Sequence, residues 1–210
     1  DYGQLGVSAW TDVVQIGAGY HHTLGLQGNG TVEATGLNDD GQCDVDNWDL
    51  DTFYDFGDAP DPTYPTLLAS SGAQHTIVPG YCLGSGVDSE FDGQPAADAR
   101  GDDRDGNDDE DGVAGLDALT AGTRNLITIT ASDSGYIDAW IDFNADGDWA
   151  DAGEQIFTGR SVSAGINNLL ISVPGDAAPG ETFARFRFSS TGGLSYTGSA
   201  DDGEVEDYAV

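Results

Sequence analysis

Residues 142–154 read Asp-Phe-Asn-Ala-Asp-Gly-Asp-Trp-Ala-Asp-Ala-Gly-Glu, with oxygen-bearing side chains at alternate positions followed by a glycine. Ca²⁺ binds six to eight oxygen ligands in a flexible sphere, and a glycine lets the chain turn sharply enough to surround the ion. The candidate ligands are the side chains of Asp142, Asn144, Asp146 and Glu154 and the carbonyl of Asp148. This stretch therefore predicts a Ca²⁺ site around which the second half of the chain is built.

The same stretch has a second interpretation as a solvated acidic hairpin turn, because Asn and Gly favour turns. Such a turn needs fewer oxygen donors than this loop contains, which favours Ca²⁺. The loop is not an EF-hand: Gly153 stands at position 12, the glutamate follows at position 13, and the flanking segments have strand patterns.

Two further acidic segments precede this loop. Asp88, Glu90 and Asp92 repeat the alternate spacing and are followed by Gly93, and residues 102–112 are almost entirely acidic or glycine. The candidate ligands in the second segment are Asp103, Asp105, Asp109 and Asp111. We expect these acids to share an ion with the first segment, although a disordered, self-repelling acidic run is the alternative.

Near the end of the chain, four acids follow in close succession: Asp202, Glu204, Glu206 and Asp207. They can complete one of these sites across the sheet, or they can be solvated charges on an edge strand. The spacing alone leaves both interpretations open.

The formal net charge of −32, with only six cationic residues, is the strongest compositional signal. No basic patch can form, which excludes binding to nucleic acid and to anionic membranes. No apolar run approaches the roughly 20 residues of a membrane span. A compact chain with this charge needs either bound divalent ions or a saline environment that screens the repulsion. In the second case the acidic residues serve solubility at high salt and bind no specific ions.

Strand patterns dominate from residue 113 onward, where short alternating runs are separated by Gly, Pro and Asn turns. In Tyr136–Phe143 and Phe183–Phe188 the alternation separates an apolar face from a polar or charged one. We predict an all-β fold: an antiparallel β-sandwich core at 113–210, preceded by an acidic, loop-rich calcium-binding segment at 51–112. The segment at 1–50 predicts a single propeller-blade-like β-repeat, because Gly3–Trp10 recurs as Gly41–Trp48.

Two resemblances fit this division. Residues 1–50 carry Trp10-Thr-Asp-Val-Val-Gln-Ile-Gly-Ala-Gly-Tyr-His-His-Thr-Leu-Gly-Leu26 and then Gly36-Leu-Asn38 and Gly41-Gln42, a pattern that resembles the regulator of chromosome condensation repeat. That family forms seven-bladed propellers, so the resemblance implies a four-stranded blade whose partner blades lie elsewhere. The nucleotide-exchange activity of some members depends on a whole propeller face and is not implied.

Residues 54–210 carry Tyr54-Asp-Phe-Gly-Asp-Ala-Pro60, Leu83–Pro95, Asp108–Val113 and Gly203-Glu-Val-Glu-Asp-Tyr208. These motifs, in this order, are similar to the GEVED family, a module of large secreted and surface proteins of bacteria. The resemblance implies a calcium-dependent β-sandwich accessory module and no reaction.

Cys43 and Cys82 permit one disulfide. Two buried thiols are the alternative, and the extracellular character of the composition favours the disulfide.

No catalytic motif is present: the chain has no Gly-x-Ser-x-Gly, no His-Glu-x-x-His and no phosphate-binding loop. We therefore predict a non-catalytic, calcium-stabilised structural or adhesive module of a larger extracellular protein. Its expected partners are copies of itself or other extracellular proteins, and assembly into a filament or surface layer is expected from unpaired sheet edges. The alternative function is a carbohydrate-binding accessory domain of a secreted hydrolase, in which Trp140, Trp149 and Tyr196 form a stacking surface for glycans. For Trp149, which lies inside the acidic loop, packing over that loop is the favoured interpretation.

Overall fold

The computed structural model describes residues 2–11, 13–27, 31–45, 48, 53–101 and 109–210. The chain forms two compact units, residues 1–53 (the first unit) and residues 54–210 (the second unit). The described residues form strands and one short 3-10 helix, Leu68–Ser70. This confirms the predicted all-β fold.

The first unit is an antiparallel sheet of three strands, β1 (Val13–Ala18), β2 (His22–Gln27) and β3 (Val32–Gly36), in that order. The expected blade has four strands, and its described residues contain these three. A side chain at Gly25 would come within 2.6 Å of the Trp10 ring, so the glycine makes room for the indole over β2.

The described residues of the second unit contain ten strands. They are β4 (Tyr54–Phe56), β5 (Ala73–Thr76), β6 (Val113–Ala114), β7 (Arg124–Ala131), β8 (Gly135–Ile141), β9 (Gln155–Val162), β10 (Gly165–Ser172), β11 (Phe183–Ser189), β12 (Gly198–Ala200) and β13 (Glu204–Ala209). The strand orders are β10-β7-β6, β13-β11-β8-β9 and β12-β5-β4, and every pairing is antiparallel except β12 with β5.

The sandwich core lies between the β10-β7-β6 sheet and the β13-β11-β8-β9 sheet. Its buried side chains come from alternate positions of both sheets, and they include Ile127, Ile129, Ile137, Ile141, Leu169, Ile171, Phe186 and Phe188. Burial of one such side chain contributes about 1.5–3 kcal/mol relative to exposure. The alternation in the sequence therefore identified the core face of these strands.

The second face of the four-stranded sheet is also buried, because residues 59–101 cover it. Trp140 and Phe183 pack there with Tyr64 and Ala99 from the covering segment. The expectation of a long loop region at 51–112 is thus only partly right, since the segment contains β4, β5 and the 3-10 helix. These elements are too short for periodicity to reveal them, and β5 depends on the distant strand β12.

Two buried arginines of β11 lie between the second face of this sheet and the segment that covers it. Arg185 forms two hydrogen bonds with the Asp207 carboxylate, from Nε to Oδ1 at 2.7 Å and from the guanidinium to Oδ2 at 2.6 Å. Arg187 donates from Nε to the His75 ring at 2.9 Å and bonds to backbone carbonyls, including those of Ser195 and Gly198. Strand β11 is therefore buried on both faces: the apolar side chains that alternate with its arginines face the sandwich core, and the arginines face the covering segment.

Candidate metal centre

The loop at 142–154 connects β8 to β9, and the Asp142 carboxylate organises its first turn. Asp142 accepts hydrogen bonds from the backbone N–H groups of Ala145 at 2.6 Å and Gly147 at 3.0 Å, and from the Tyr64 hydroxyl at 2.6 Å. Gly147 has a φ of +97°, a conformation that favours glycine. The turn is thus built around a fully buried carboxylate.

Three of the predicted ligands converge on one point. Single carboxylate oxygens of Asp142, Asp146 and Glu154 all lie within 4.8 Å of one another. Asp142 and Glu154 are buried, whereas Asp146 is exposed, so the group opens to solvent on one side. We call Asp142, Asp146 and Glu154 the loop cluster.

Glu154 is the member whose environment most strongly indicates a cation. Its Oε2 atom accepts the Asp151 N–H at 3.1 Å, while its Oε1 atom is buried and has no hydrogen-bond partner within the described ranges. Burial, with the added charges of Asp142, Asp151 and Asp146, raises the pKa of Glu154 to about 7. A bound cation would supply the missing partner and offset the repulsion.

The predicted ligands Asn144 and Asp148 form hydrogen bonds within the loop and are not part of the loop cluster. The Asn144 side chain accepts the Asp146 N–H at 3.0 Å and donates to the carboxylates of Asp146 and Asp151, at 3.1 and 2.7 Å. The Asp148 carboxylate accepts the Ala150 N–H at 2.7 Å. This bond does not involve the backbone carbonyl of Asp148, which is the atom predicted to bind Ca²⁺. Asp151 was not among the predicted residues, because it falls outside the alternate spacing that identified the others.

The loop cluster rests on buried aromatic rings. Trp149 is buried, its Nε1 atom donates to the Phe183 carbonyl at 3.1 Å, and its ring lies 4.7 Å from that of Tyr64. Trp140 is also buried. Neither tryptophan presents a ring face to solvent, so Trp140 does not form the stacking surface considered for glycans, and Trp149 packs inside the protein, as favoured for it. Tyr196 is half-buried and forms T-shaped ring contacts with both.

Among the described residues, the predicted ligands in the segments 88–92 and 103–111 have different environments. The Asp88 N–H donates to the Asp109 carboxylate at 3.0 Å, and the Glu90 carboxylate accepts the Phe56 N–H at 3.0 Å. Burial, together with hydrogen bonding to Asp88, raises the pKa of Glu90 to about 12. This places Asp88 beside both Glu90 and Asp109.

Asp92 and Asp111 have backbone partners of their own. Asp92 accepts the N–H groups of Leu68 at 2.7 Å and Gly93 at 2.9 Å, at the start of the 3-10 helix. Asp111 accepts the Ser85 N–H at 2.8 Å. The predicted ligands Asp103 and Asp105 lie outside the described residues.

The acids near the end of the chain are not solvated edge charges, apart from Asp202, which bonds to Ser190 near the surface. Asp207 is paired with Arg185, and Glu204 and Glu206 are buried, each with 1% of its surface exposed. Burial and the charge of Glu206 raise the pKa of Glu204 well above its usual range, and burial raises the pKa of Glu206 to about 8.

The two cysteines belong to different units. The Cys43 thiol lies 3.4 Å from the Leu37 carbonyl within the first unit, and Cys82 is buried within the second. The disulfide between Cys43 and Cys82 would join the two units and stays a prediction.

Comparisons with known proteins agree with the two resemblances. Residues 136–210 match the family model of the GEVED domain, and residues 13–42 match that of the regulator of chromosome condensation (RCC1) repeat. Their order confirms the predicted architecture, a GEVED-type module preceded by an RCC1-type repeat, and both matches indicate a β-rich protein. No curated protein and no solved structure matches the chain.

Within the described ranges, no helix has the length and apolar character needed to cross a membrane.

Proposed function

We propose that this chain is a calcium-stabilised, non-catalytic structural or adhesive module of a larger extracellular protein. The observation that carries the proposal is the loop cluster, in which three carboxylates converge and one buried oxygen of Glu154 has no hydrogen-bond partner in the described structure. An all-oxygen donor set on a glycine-containing loop suits Ca²⁺, whereas Mg²⁺ keeps its waters and requires strict octahedral geometry.

The overall charge supports the same proposal. A chain of net charge −32 repels itself unless cations are held at defined places. Extracellular modules bind Ca²⁺ with dissociation constants of about 10⁻⁴–10⁻³ M, a range that suits a structural ion outside the cell. We propose an extracellular or cell-surface location on this basis, with other copies of the chain or other extracellular proteins as partners.

Assembly into a filament or surface layer is the further part of the proposal. Strand β10 pairs with β7 on one side only in the described structure and contains no charged residue. An uncharged edge strand is where two strongly acidic copies can approach with least repulsion. The glycan-binding alternative lacks comparable support, because Trp140 and Trp149 are buried.

Thermal unfolding in Ca²⁺ and in excess EGTA, at constant ionic strength, tests the proposal. At free Ca²⁺ of about 100 times Kd, a ligand that binds only the folded state adds about 2.7 kcal/mol. We expect the melting temperature of the second unit to rise by roughly 5–10 °C.

Two variants separate the ion from general charge effects. Asp146→Asn changes the loop cluster, whereas Asp117→Asn removes the same charge from an exposed side chain outside the loop. We expect Asp146→Asn to reduce the Ca²⁺-dependent shift and Asp117→Asn to retain it. A wild-type protein whose melting temperature is the same in Ca²⁺ and EGTA would contradict the proposal.

A further inference from the structure

Glu204 and Glu206 form a second group of buried carboxylates, separate from the loop cluster. They occupy alternate positions of β13, so they lie on the same face of the strand. The Leu83 N–H donates to Glu204 Oε2, and the Gly112 N–H donates to Glu206 Oε1 at 2.8 Å. Each glutamate therefore has one oxygen held in place by the backbone.

The other oxygen of each glutamate is unsatisfied. Glu204 Oε1 and Glu206 Oε2 are buried and have no hydrogen-bond partner among the residues that the structure describes. A buried charged oxygen without a partner is costly, and proteins retain such groups where an ion or another ligand binds. This observation concerns individual atoms and does not depend on the number of acids nearby.

The two glutamates converge on one place, because their backbone donors are adjacent. A Cβ atom on Gly112 would lie 2.4 Å from Leu83 Cβ and 2.8 Å from both Gly84 N and Glu206 Oε1. A side chain is thus excluded at residue 112, and the chain segments at 83–84 and 112 meet beside β13. This close approach forms a narrow site walled by backbone.

Asp109 adds a further negative charge to this part of the second unit. It is 9% exposed and accepts the Asp88 N–H at 3.0 Å. Its charge is one cause, after burial, of the raised pKa of both Glu204 and Glu206, so it adds to the repulsion that a cation bound by the two glutamates would offset.

The buried arginines do not supply the counter-charge. Arg185 is paired with Asp207, and Arg187 bonds to His75 and to backbone carbonyls. Glu204 and Glu206 lie on the opposite face of β13 from Asp207, so neither of these two arginines pairs with them.

We propose that Glu204 and Glu206 bind a divalent cation, with Ca²⁺ favoured by the all-oxygen donors, at a site that joins β13 to the chain at Leu83 and Gly112. This inference deepens the proposed function, but it uses none of the residues of the loop cluster. The bound ion would link segments more than a hundred positions apart in the chain, so that closure of the last strand depends on calcium.

Calcium binding by equilibrium dialysis of three double variants tests the site. Glu204→Gln/Glu206→Gln removes the two charges with little change of shape, and Asp146→Asn/Glu154→Gln alters the loop cluster. Glu33→Gln/Glu181→Gln is the matched control, because neither of its glutamates is buried. We expect the first variant to bind about one ion fewer per chain than the control.

Stability in the presence and absence of the ion provides the second measurement. In EGTA, Glu204→Gln/Glu206→Gln should melt at or above the wild-type temperature, because it removes buried charges that repel each other. In Ca²⁺ it should melt below the wild type. A purely structural role of the glutamates would lower the melting temperature equally in both conditions and would overturn the proposal, as would an ion count equal to that of the control.

Single Glu206→Gln serves if the double variant does not fold, with the same two measurements and the same criteria. The two proposals fail separately. Loss of calcium only in Asp146→Asn/Glu154→Gln would refute the β13 site and leave the proposed function intact, whereas loss only in the glutamate variant would refute the loop cluster.

Discussion

The Arg185 guanidinium is enclosed by partners inside the second unit. Besides the two bonds to Asp207, it donates to the carbonyls of Pro65 at 2.6 Å and Tyr196 at 2.9 Å, and it lies 4.7 Å from the centre of the Trp149 ring. Asp207 also accepts the Ala59 N–H at 2.9 Å. This single pair thus links β11 and β13 to the segment that covers them.

Replacing Asp207 should be strongly destabilising, because Arg185 would remain buried without its counter-charge. We expect Asp207→Asn to lower the free energy of unfolding by about 3–5 kcal/mol. Urea denaturation in saturating Ca²⁺ measures this loss while keeping bound ions constant. The control Asp202→Asn affects a bond to Ser190 near the surface and should cost about 1 kcal/mol or less. Similar losses in both variants would refute the role given to the buried pair.

At the scale of elements, β10 is the strand most exposed to pairing with another chain. Its side chains at Ile166 and Leu170 are 71% and 58% exposed, and Leu170 stands opposite Leu126, which is 58% exposed. Natural edge strands are usually protected by charge, proline or a bulge, and β10 has neither charge nor proline.

Charge placed on this strand should therefore reduce self-association. We expect Ile166→Lys/Leu170→Lys to shift the protein toward monomer, as measured by light scattering after size-exclusion chromatography in millimolar Ca²⁺. Leu68→Lys/Val78→Lys adds the same charge at exposed apolar positions outside β10 and should leave association unchanged. A wild-type protein that is monomeric at every accessible concentration in Ca²⁺ would contradict assembly through this edge.

For the whole molecule, the buried carboxylates make stability without calcium depend on pH. Burial raises the folded-state pKa of Glu154 to about 7 and that of Glu206 to about 8, above the usual value of 4.5. At pH 6.5–8.5 the folded state therefore binds more protons than the unfolded state, so its stability falls as pH rises.

We expect the melting temperature in EGTA to increase by several degrees when pH is lowered from 8.5 to 6.5. Saturating Ca²⁺ should flatten this dependence, because the ion replaces the protons. His75 acts in the opposite direction: burial and Arg187 hold its pKa well below 6.5 in the folded state, so protonation of the unfolded state lowers stability from about pH 6.5 downward. The lower limit of pH 6.5 keeps this contribution small. An identical pH profile in Ca²⁺ and EGTA would show that these carboxylates do not bind the ion.

Much of the second unit was predictable from local pattern. Strands β8 and β11 follow from the runs Tyr136–Phe143 and Phe183–Phe188, because each strand sustains its alternation over seven residues. The short strands β4, β6 and β12 contain two or three residues and show no period. The covering layer contains only short elements, so its sequence pattern indicates loops.

The sequence by itself determined the all-β fold, the core face of the long strands and the loop cluster, because each depends on residues near one another in the chain. Only the tertiary structure decided that the polar face of β11 is buried, that Trp140 is inaccessible, and that Glu204 and Glu206 are buried. Those outcomes depend on contacts between distant segments, such as the bond from Leu83 to Glu204, and spacing along the chain carries no information about them. A carboxylate on a strand gives the same sequence pattern whether it faces water or a buried site, and tertiary packing determines which of the two surrounds it.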